Sequence, residues 1–269
     1  MQYDPIKKIL GRFFSGSVFM RKTFFVLLDL LLLRTWHVKK AIRKISAGMP
    51  QDASILDAGA GFGQYSWWMA RKNRSWIIKA VDIDAGHVAD AGRFFMRTGF
   101  SGRVACEILD LTRLKDTDAF DLILSVDVME HIKDDELVFR NFFHALKQRG
   151  AMLISTPSDK GGSDVHDAAG HSFIDEHVRN GYGIPEITEK LVRAGFSDIK
   201  ALYTYGKPGH ISWLISMKYP VMMLGLSRIF FIFLPFYYLI TFPFALFLNF
   251  LDVSTTHRSG TGLLVLANR

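Results

Sequence analysis

The chain has 269 residues and a single cysteine, Cys106. One thiol excludes an internal disulfide and fits a reducing compartment. Apolar and polar residues alternate around Cys106, so we interpret it as a strand residue rather than a nucleophile. Prolines number eight, and the sequence contains neither an internal repeat nor a long low-complexity linker. The chain is therefore one large domain, or one domain with appendages.

Acidic residues are scarce at the start of the chain. Residues 1–47 contain two, Asp4 and Asp29, against ten Lys or Arg, whereas the whole chain has a net charge of +7. The basic character is thus local, and the remainder is close to neutral. A cationic segment of this kind attracts an anionic surface, either a membrane or nucleic acid.

A membrane explains this segment better, because the basic residues flank the apolar run 24–33. This pattern is typical of a basic amphipathic helix that lies in the interface. It does not fit a signal peptide, since Asp29 interrupts the run and no small-residue cleavage site follows. It is also too short to span a bilayer. The alternative is a helix packed on a sheet as a cap, and both interpretations can hold.

Residues 55–63 are an apolar strand that runs into Gly59, Gly61 and Gly63. Glycine allows the backbone to turn tightly and to approach a ligand where any Cβ would clash. A dinucleotide site requires Gly-x-Gly-x-x-Gly, and Gln64 stands where its last glycine is needed. The acidic Asp57 just before the glycines suits a cationic ligand better than a phosphate.

This run resembles the first motif of the class I S-adenosylmethionine (SAM) methyltransferases, and the resemblance covers residues 50–206 and the last ten residues. It implies SAM as cofactor and an α/β fold. The sheet would be Rossmann-like, seven-stranded and mostly parallel, with an antiparallel last strand. The cofactor-binding residues implied by the resemblance are Asp57, Gly59, Gly61, Gly63, Asp82, Ile83, Asp110, Leu111 and Asp127.

Three further segments match the family. Asp82 follows the apolar strand 76–81, where family members place an acid that takes both ribose hydroxyls. Asp110 follows the strand 104–109, and the family uses such an Asp for the adenine amino group, with the backbone of Leu111 nearby. The string 127–132 is similar to the fourth motif of the subfamily that contains the ubiquinone-pathway methyltransferases.

Apolar runs and turn residues alternate in the order expected of a parallel sheet covered on both faces. Strands are predicted near 54–58, 76–82, 103–109, 120–126, 149–155, 199–205 and 261–267. Helices are predicted near 64–72, 86–98, 134–147 and 184–195. We divide the chain into a basic amphipathic helical extension (1–47), a SAM-binding domain (48–207 and 258–269) and a hydrophobic helical insert (208–257).

The insert contains twenty consecutive residues without charge, 229–248, which is long enough to cross a membrane. The strands on either side of it, 199–205 and 261–267, are expected to pair in one sheet. The insert must then leave and return on one side of a membrane, as a re-entrant hairpin or as helices in the interface. Pro220, Pro235 and Pro243 are expected to break or kink its helices. The alternative is a buried cover or a dimer interface in a soluble protein.

Methyl transfer to a hydroxyl is assisted by a general base, and histidine titrates in a suitable range. The candidate bases follow the fourth and fifth strands, near the edge where such sheets bind ligands. They are His131, His166, His171 and His177. A metal bound by Asp164, His166 and His171 is an alternative, but family members that use magnesium have mostly acidic ligands in another pattern, so we expect no metal.

We therefore expect a SAM-dependent methyltransferase on the cytosolic face of a membrane, monotopic or peripheral. Its partners would be SAM, anionic lipid and a lipophilic acceptor such as a quinone precursor, a polyene-linked phenol or a lipid, methylated at O or C. Two alternatives remain. One is a non-catalytic scaffold of a membrane complex. The other is a nucleic-acid methyltransferase, which would lack the Asn/Asp-Pro-Pro-Tyr/Phe motif because Asp127-Val-Met-Glu stands in its place.

Overall fold

The computed structural model describes residues 17–161, 178–227 and 229–269. Seven strands form one sheet in the order β3-β2-β1-β4-β5-β7-β6. Their bounds are β1 Ser54–Ala58, β2 Ile77–Asp82, β3 Val104–Ile108, β4 Phe120–Val126, β5 Leu146–Pro157, β6 Ser197–Thr204 and β7 Gly262–Asn268. Each predicted strand is present within three residues of its expected bounds, and Cys106 lies in β3 as expected. The Rossmann-like fold class is confirmed.

Helices precede and separate the strands. They are α1 Val18–Leu31, α2 Leu33–Ile45, α3 Gln64–Lys72, α4 Ala85–Arg97, α5 Asp135–Ala145, α6 Ile184–Ala194, α7 Lys207–Trp213, α8 Tyr219–Leu226 and α9 Phe230–Ser254. Short 3-10 helices cover Leu111–Arg113 and Met129–His131, and a π-helical turn covers Leu214–Lys218. The four predicted helices correspond to α3, α4, α5 and α6.

The sheet buries two apolar clusters, one on each face, because adjacent strand residues point to opposite sides. Leu56 and Ile123 belong to one cluster, whereas Ile55 and Leu122 belong to the other. The two N-terminal helices cover the second face, where Phe25 and other apolar side chains of α1 and α2 enter its cluster. The described part of the basic extension therefore caps the sheet, and its contact with a membrane stays a prediction.

Three basic residues of this extension have partners within the protein. Arg21 forms an ion pair with Asp90 and is 4% exposed, and Lys39 forms one with Asp29 and is 7% exposed. Arg34 contacts Asp127. Their charge serves the fold rather than an external surface, which reduces the basic area available for nucleic acid.

β7 lies between β5 and β6 and is antiparallel to both. The predicted pairing of the last strand with the strand before the insert is thus confirmed. Because the segment between β6 and β7 begins and ends at the same sheet, its helices must return to where they started. We call residues 207–254 the hydrophobic hairpin.

One arm of the hairpin is α7, the π-helical turn and α8, and the other is α9, 25 residues long. At a rise of about 1.5 Å per residue, α9 extends roughly 37 Å. The prolines were expected to break or kink these helices; Pro235 and Pro243 lie inside α9 and do not break it, and a kink there stays a prediction. Pro220 follows the π-helical turn and lies in the first turn of α8.

Candidate active site

Three glycines connect β1 to α3, all in the left-handed region, with φ of 79° at Gly59, 53° at Gly61 and 79° at Gly63. A Cβ on Gly59 would lie 2.2 Å from Cγ2 of Val128, so packing as well as conformation requires glycine there. A Cβ on Gly61 would meet nothing within 4 Å. The turn therefore presents open backbone at Gly61, where a ligand can approach closely.

Asp57 lies beneath this turn and is 2% exposed. Its carboxylate accepts a hydrogen bond of 2.6 Å from the Ser66 hydroxyl on α3. Burial raises the pKa of Asp57 to about 6, against the opposing effect of the Ser66 hydrogen bonds. The side chain joins the strand end to the helix, and direct contact of Asp57 with a cofactor stays a prediction.

Asp82 ends β2 beside the glycine turn, because β1 and β2 are in parallel register there, with Ala58 opposite Val81. Its Oδ2 accepts from the Gly61 N–H at 2.8 Å and its Oδ1 from the Asp84 N–H at 2.9 Å. Burial opposes ionisation, but the contact with His87 and these two N–H groups outweigh it and lower the pKa of Asp82. The two N–H groups therefore hold the carboxylate in one orientation. Each of its oxygens can still accept a further hydrogen bond.

Ile83 follows Asp82 and is 73% exposed. An exposed apolar side chain directly after a preorganised acid fits a ligand with a flat apolar ring attached to hydroxyl groups. Both residues were predicted from the sequence to lie in the cofactor site, and the structure brings Asp82 beside Gly61.

Asp110 follows β3, on the far side of β2. Its Oδ1 accepts from the backbone N–H and the hydroxyl of Thr112, at 2.9 and 2.8 Å. These hydrogen bonds lower the pKa of Asp110 and fix the short helix that begins at Leu111. Leu111 itself is 5% exposed, so its backbone rather than its side chain is the group suited to a ligand.

Asp127 comes directly after β4 and has a φ of 52°, an uncommon value for a residue other than glycine. Its N–H donates to the carbonyl of Ser155 on β5 at 2.8 Å, and its carboxylate contacts the guanidinium of Arg34 on α2. Backbone and side chain are therefore both fixed, with a cation from the N-terminal helices beside the carboxyl end of β4. Arg34 was not among the predicted site residues, since nothing local to it in the sequence indicates its partner.

Of the four candidate bases, His131 is exposed and ends the short helix Met129–His131. The neighbouring Glu130 is buried and accepts from the Thr156 hydroxyl at 3.1 Å. His166, His171 and His177 lie outside the described residues, as does Asp164 of the alternative metal site. Within the described ranges, no group of three His, Cys, Asp or Glu side chains could hold a metal ion.

Two tyrosines, the buried Tyr65 and the half-buried Tyr205, also contact α2. The Tyr205 hydroxyl accepts from the Arg34 N–H at 2.9 Å, and burial raises the pKa of Tyr205 to about 12. The Tyr65 hydroxyl lies 3.4 Å from that of Thr35. These phenols stay protonated at neutral pH and act as fixed dipoles, not as bases.

A second cluster that sequence analysis missed lies at the base of the hydrophobic hairpin. Asp252, near the end of α9, is fully buried. Its carboxylate lies 2.8 Å from Nε2 of His37 on α2 and 3.1 Å from Nε2 of His257. It also accepts from the backbone N–H groups of Gly209 and Tyr205, at 3.0 and 3.2 Å. One side chain thus joins α2, both arms of the hairpin and the end of β6.

Comparisons with known proteins agree with this arrangement. Residues 55–150 match a family model described as a methyltransferase domain. The chain is 31% identical over 155 residues to phosphoethanolamine N-methyltransferase 1 of Arabidopsis thaliana, an alignment that covers 55% of this chain and 29% of that protein. It is 25% identical over 124 residues to the ubiquinone biosynthesis O-methyltransferase of Pelagibacter ubique, covering 46% and 50% of the two chains. This chain therefore spans less than a third of the plant relative.

Among solved structures, phosphoethanolamine N-methyltransferase 2 of Haemonchus contortus in complex with S-adenosyl-L-methionine superposes with a TM-score of 0.61. The identity is 19%, over 87% of this chain and 52% of that chain. At this identity the likeness concerns the fold.

Proposed function

Because the chain contains a methyltransferase domain of the class I SAM-dependent family, we propose that the protein is a membrane-associated methyltransferase that acts on a lipophilic acceptor. It would lie on the cytoplasmic face, bound through the hydrophobic hairpin. The glycine turn with its ordered acid supports the enzymatic part of the proposal, and the exposed apolar surface of the hairpin supports the membrane part.

The residues of the site fit SAM. Open backbone at Gly61 allows close approach, the carboxylate of Asp82 can accept ribose hydroxyls, and exposed Ile83 offers an apolar surface to the adenine. Bound SAM supplies a methyl group already activated on a sulfonium, so this chain mainly has to position the acceptor and exclude water. Helix α2 contributes to both, since Arg34 holds Asp127 at the carboxyl end of β4. If the acceptor is a hydroxyl, its proton goes to a base, for which the exposed His131 and the three predicted histidines are candidates.

The hydrophobic hairpin reverses the usual distribution of polar and apolar residues. Large apolar side chains of α9 face outward, with Leu239 76%, Ile240 68% and Phe236 67% exposed. Polar residues face inward instead: Ser212 and Asn249 are each 1% exposed. The α9 helix is long and apolar enough to cross a membrane. Only 6% of its most apolar stretch of 18 residues is buried within the protein. An inverted distribution of this kind is stable where the surroundings are apolar.

Three backbone carbonyls between the two arms accept hydrogen bonds from side chains of the opposite arm. Pro220 has no N–H, so it leaves a carbonyl one turn earlier without its helical partner. The hydroxyls of Tyr237 and Tyr238 on α9 donate to the carbonyls of Ile215 and Ser216, at 2.6 and 2.8 Å. Ser212 similarly donates to the carbonyl of Ala245 at 3.1 Å. Such internal pairing is needed in hydrocarbon, where water cannot replace the missing bonds.

Both ends of the hairpin lie at one sheet, so a single crossing with the domain on one side and the chain end on the other does not fit. A re-entrant hairpin, or helices lying in the interface, fits this connection. The base of the hairpin contacts α2, which also reaches Asp127, so a lipid-borne acceptor would meet the site near the membrane surface. O- or C-methylation is the favoured chemistry for such an acceptor.

Calorimetric titration with SAM tests the enzymatic part, and absence of binding at millimolar SAM would favour a non-catalytic scaffold.

Flotation with phosphatidylcholine vesicles tests the membrane part. The triple variant Phe236→Glu, Leu239→Glu, Phe244→Glu on the exposed side of α9 should stay with the soluble fraction, whereas the intact protein should float. As a control, Met96→Glu, Val192→Glu and Leu202→Glu replace side chains of comparable exposure outside the hairpin and should leave flotation unchanged. An intact protein that does not float contradicts membrane association.

A further inference from the structure

A second apolar surface lies away from the hairpin, in a groove between α1 and α3. The groove has a volume of about 550 Å³, within the range of small-molecule sites. Its lining residues are Phe19, Lys22, Thr23, Val26, Trp67, Arg71 and Phe100. We call it the α1–α3 groove.

The walls of the α1–α3 groove are largely apolar and open to the outside. Phe19 is 76% exposed and Val26 47% exposed on the outward face of α1. Trp67 is 4% exposed, and its buried indole N–H has no hydrogen-bond acceptor among the described residues. The Trp67 ring therefore contributes an apolar wall to the groove, while its N–H is enclosed within the protein.

Two cations accompany these apolar walls, and no acid of the described residues lines the groove. The Arg71 guanidinium lies 4.6 Å from the ring centre of Trp67. The guanidinium is planar, so its N–H donors point sideways from the ring face, an arrangement suited to phosphate or carboxylate oxygens. Within the described part of the chain, Arg71 and Lys22 form no ion pair, unlike Arg21 on the other face of α1, which is paired with Asp90.

We propose that the α1–α3 groove binds one anionic membrane phospholipid, with its phosphate at Lys22 and Arg71 and the start of an acyl chain along Phe19, Val26 and Phe100. Charge complementarity and the apolar walls together identify an amphiphile rather than a free anion. The inference rests on the proposed membrane association, because the bilayer is the source of this lipid. It adds selectivity for anionic lipid to the non-selective insertion of the hairpin.

The first experiment uses a lipid that needs no bilayer. Dihexanoyl phosphatidylglycerol, below its micellar concentration, is titrated calorimetrically into the full-length protein, with dihexanoyl phosphatidylcholine as comparison. The anionic lipid should bind more tightly, and Lys22→Gln with Arg71→Gln should weaken its binding at least about tenfold, given the contribution of each cation near an anionic lipid. The control pair Lys44→Gln with Lys115→Gln removes the same charge from exposed sites outside the groove and should have no effect.

The second experiment separates this inference from the proposed function. Flotation is compared on vesicles of phosphatidylcholine alone and with one fifth phosphatidylglycerol. The Lys22, Arg71 variant should float on the neutral vesicles like the intact protein and lose the increase that phosphatidylglycerol gives. Failure of the intact protein to float on either vesicle would contradict the proposed function, while the short-chain titration would still decide the groove.

Equal affinity for the two short-chain lipids would overturn the proposal, as would equal weakening by the control pair. A dimer that dissociates in the Lys22, Arg71 variant, seen by light scattering, would assign the groove to a second copy of the chain and overturn it as well.

Discussion

The sheet domain and the hydrophobic hairpin distribute apolar and polar side chains in opposite ways. In the sheet domain apolar side chains such as Ile55 and Ile123 are fully buried, while the candidate ligand-binding groups are backbone and carboxylates. In the hairpin, apolar rings face outward and polar groups are enclosed between the arms. Burial alone therefore does not identify the functional residues of this protein. The polar groups best suited to a ligand are half-exposed at the carboxyl ends of the strands, whereas the most buried polar groups stabilise the fold.

Two buried aspartates make this comparison concrete. Asp57 beneath the glycine turn has one side-chain donor, the Ser66 hydroxyl. Asp252 at the hairpin base has two histidines and two backbone N–H groups. A buried carboxylate is costly unless it is paired and hydrogen-bonded, so the charge of Asp57 should destabilise the fold while that of Asp252 should hold two regions together.

The largest effect is expected at Asp252. Asp252→Ala leaves the buried His37 and two backbone N–H groups without their acceptor, while His257 keeps the backbone carbonyl of residue 252. It should lower the free energy of unfolding by about 3–5 kcal/mol. Thermal or denaturant unfolding in a mild detergent measures this. The control is Asp134→Ala, because Asp134 is exposed and its side chain makes no capping hydrogen bond to α5. A loss no larger than that of the control would show that Asp252 does not join the hairpin to the domain.

Substitution of Asp57 is expected to change the free energy of unfolding in the opposite direction, toward greater stability. Because its pKa is raised in the folded protein to about 6, the folded state binds this proton more tightly than the unfolded state. The contribution of Asp57 to stability therefore falls as the pH rises from about 4 to about 6. Asp57→Asn should gain up to about 3 kcal/mol relative to the original protein across this interval and stay constant above it. Unfolding midpoints at a series of pH values give this difference, and a flat difference would contradict the assignment.

Packing at the glycine turn should have the next effect. Gly59→Ala places a Cβ against Val128, in addition to the strain of a left-handed backbone. Gly99 has a similar φ of 75° with nothing near its Cβ position, so Gly99→Ala isolates the strain. We expect Gly59→Ala to cost about 1–3 kcal/mol more than Gly99→Ala in chemical denaturation. Equal losses would mean that Val128 moves aside freely.

The smallest effect concerns cofactor affinity rather than stability. Asp82→Asn should weaken SAM binding by about 1.5 kcal/mol, roughly tenfold, because it removes a charged acceptor. Asp84→Ala removes the carboxylate that caps α4 and should reduce stability more than affinity. Calorimetry measures the SAM affinity of both variants, and chemical unfolding measures their stability. A larger loss of SAM affinity at Asp84 than at Asp82 would place the cofactor elsewhere.

Much of the sheet domain could be predicted because its signals are local. Apolar runs of strand length, an acid at or just after the carboxyl ends of β1 to β4 and the glycines between β1 and α3 are properties of short segments. The hairpin was less predictable at its prolines. Pro235 and Pro243 lie inside α9, and Pro220 is accommodated by a π-helical turn and by tyrosine hydroxyls from the other arm, a compensation that sequence spacing does not show.

The sequence by itself determined the strand order along the chain, the glycine turn and the apolar segment between β6 and β7. Tertiary structure alone decided which charges meet. Arg34 contacts Asp127, and His37 contacts Asp252, across 93 and 215 positions of the chain respectively. The physical reason is that strand formation and turns depend on neighbouring residues, whereas a buried charge is stabilised by whichever donors the packed helices bring beside it.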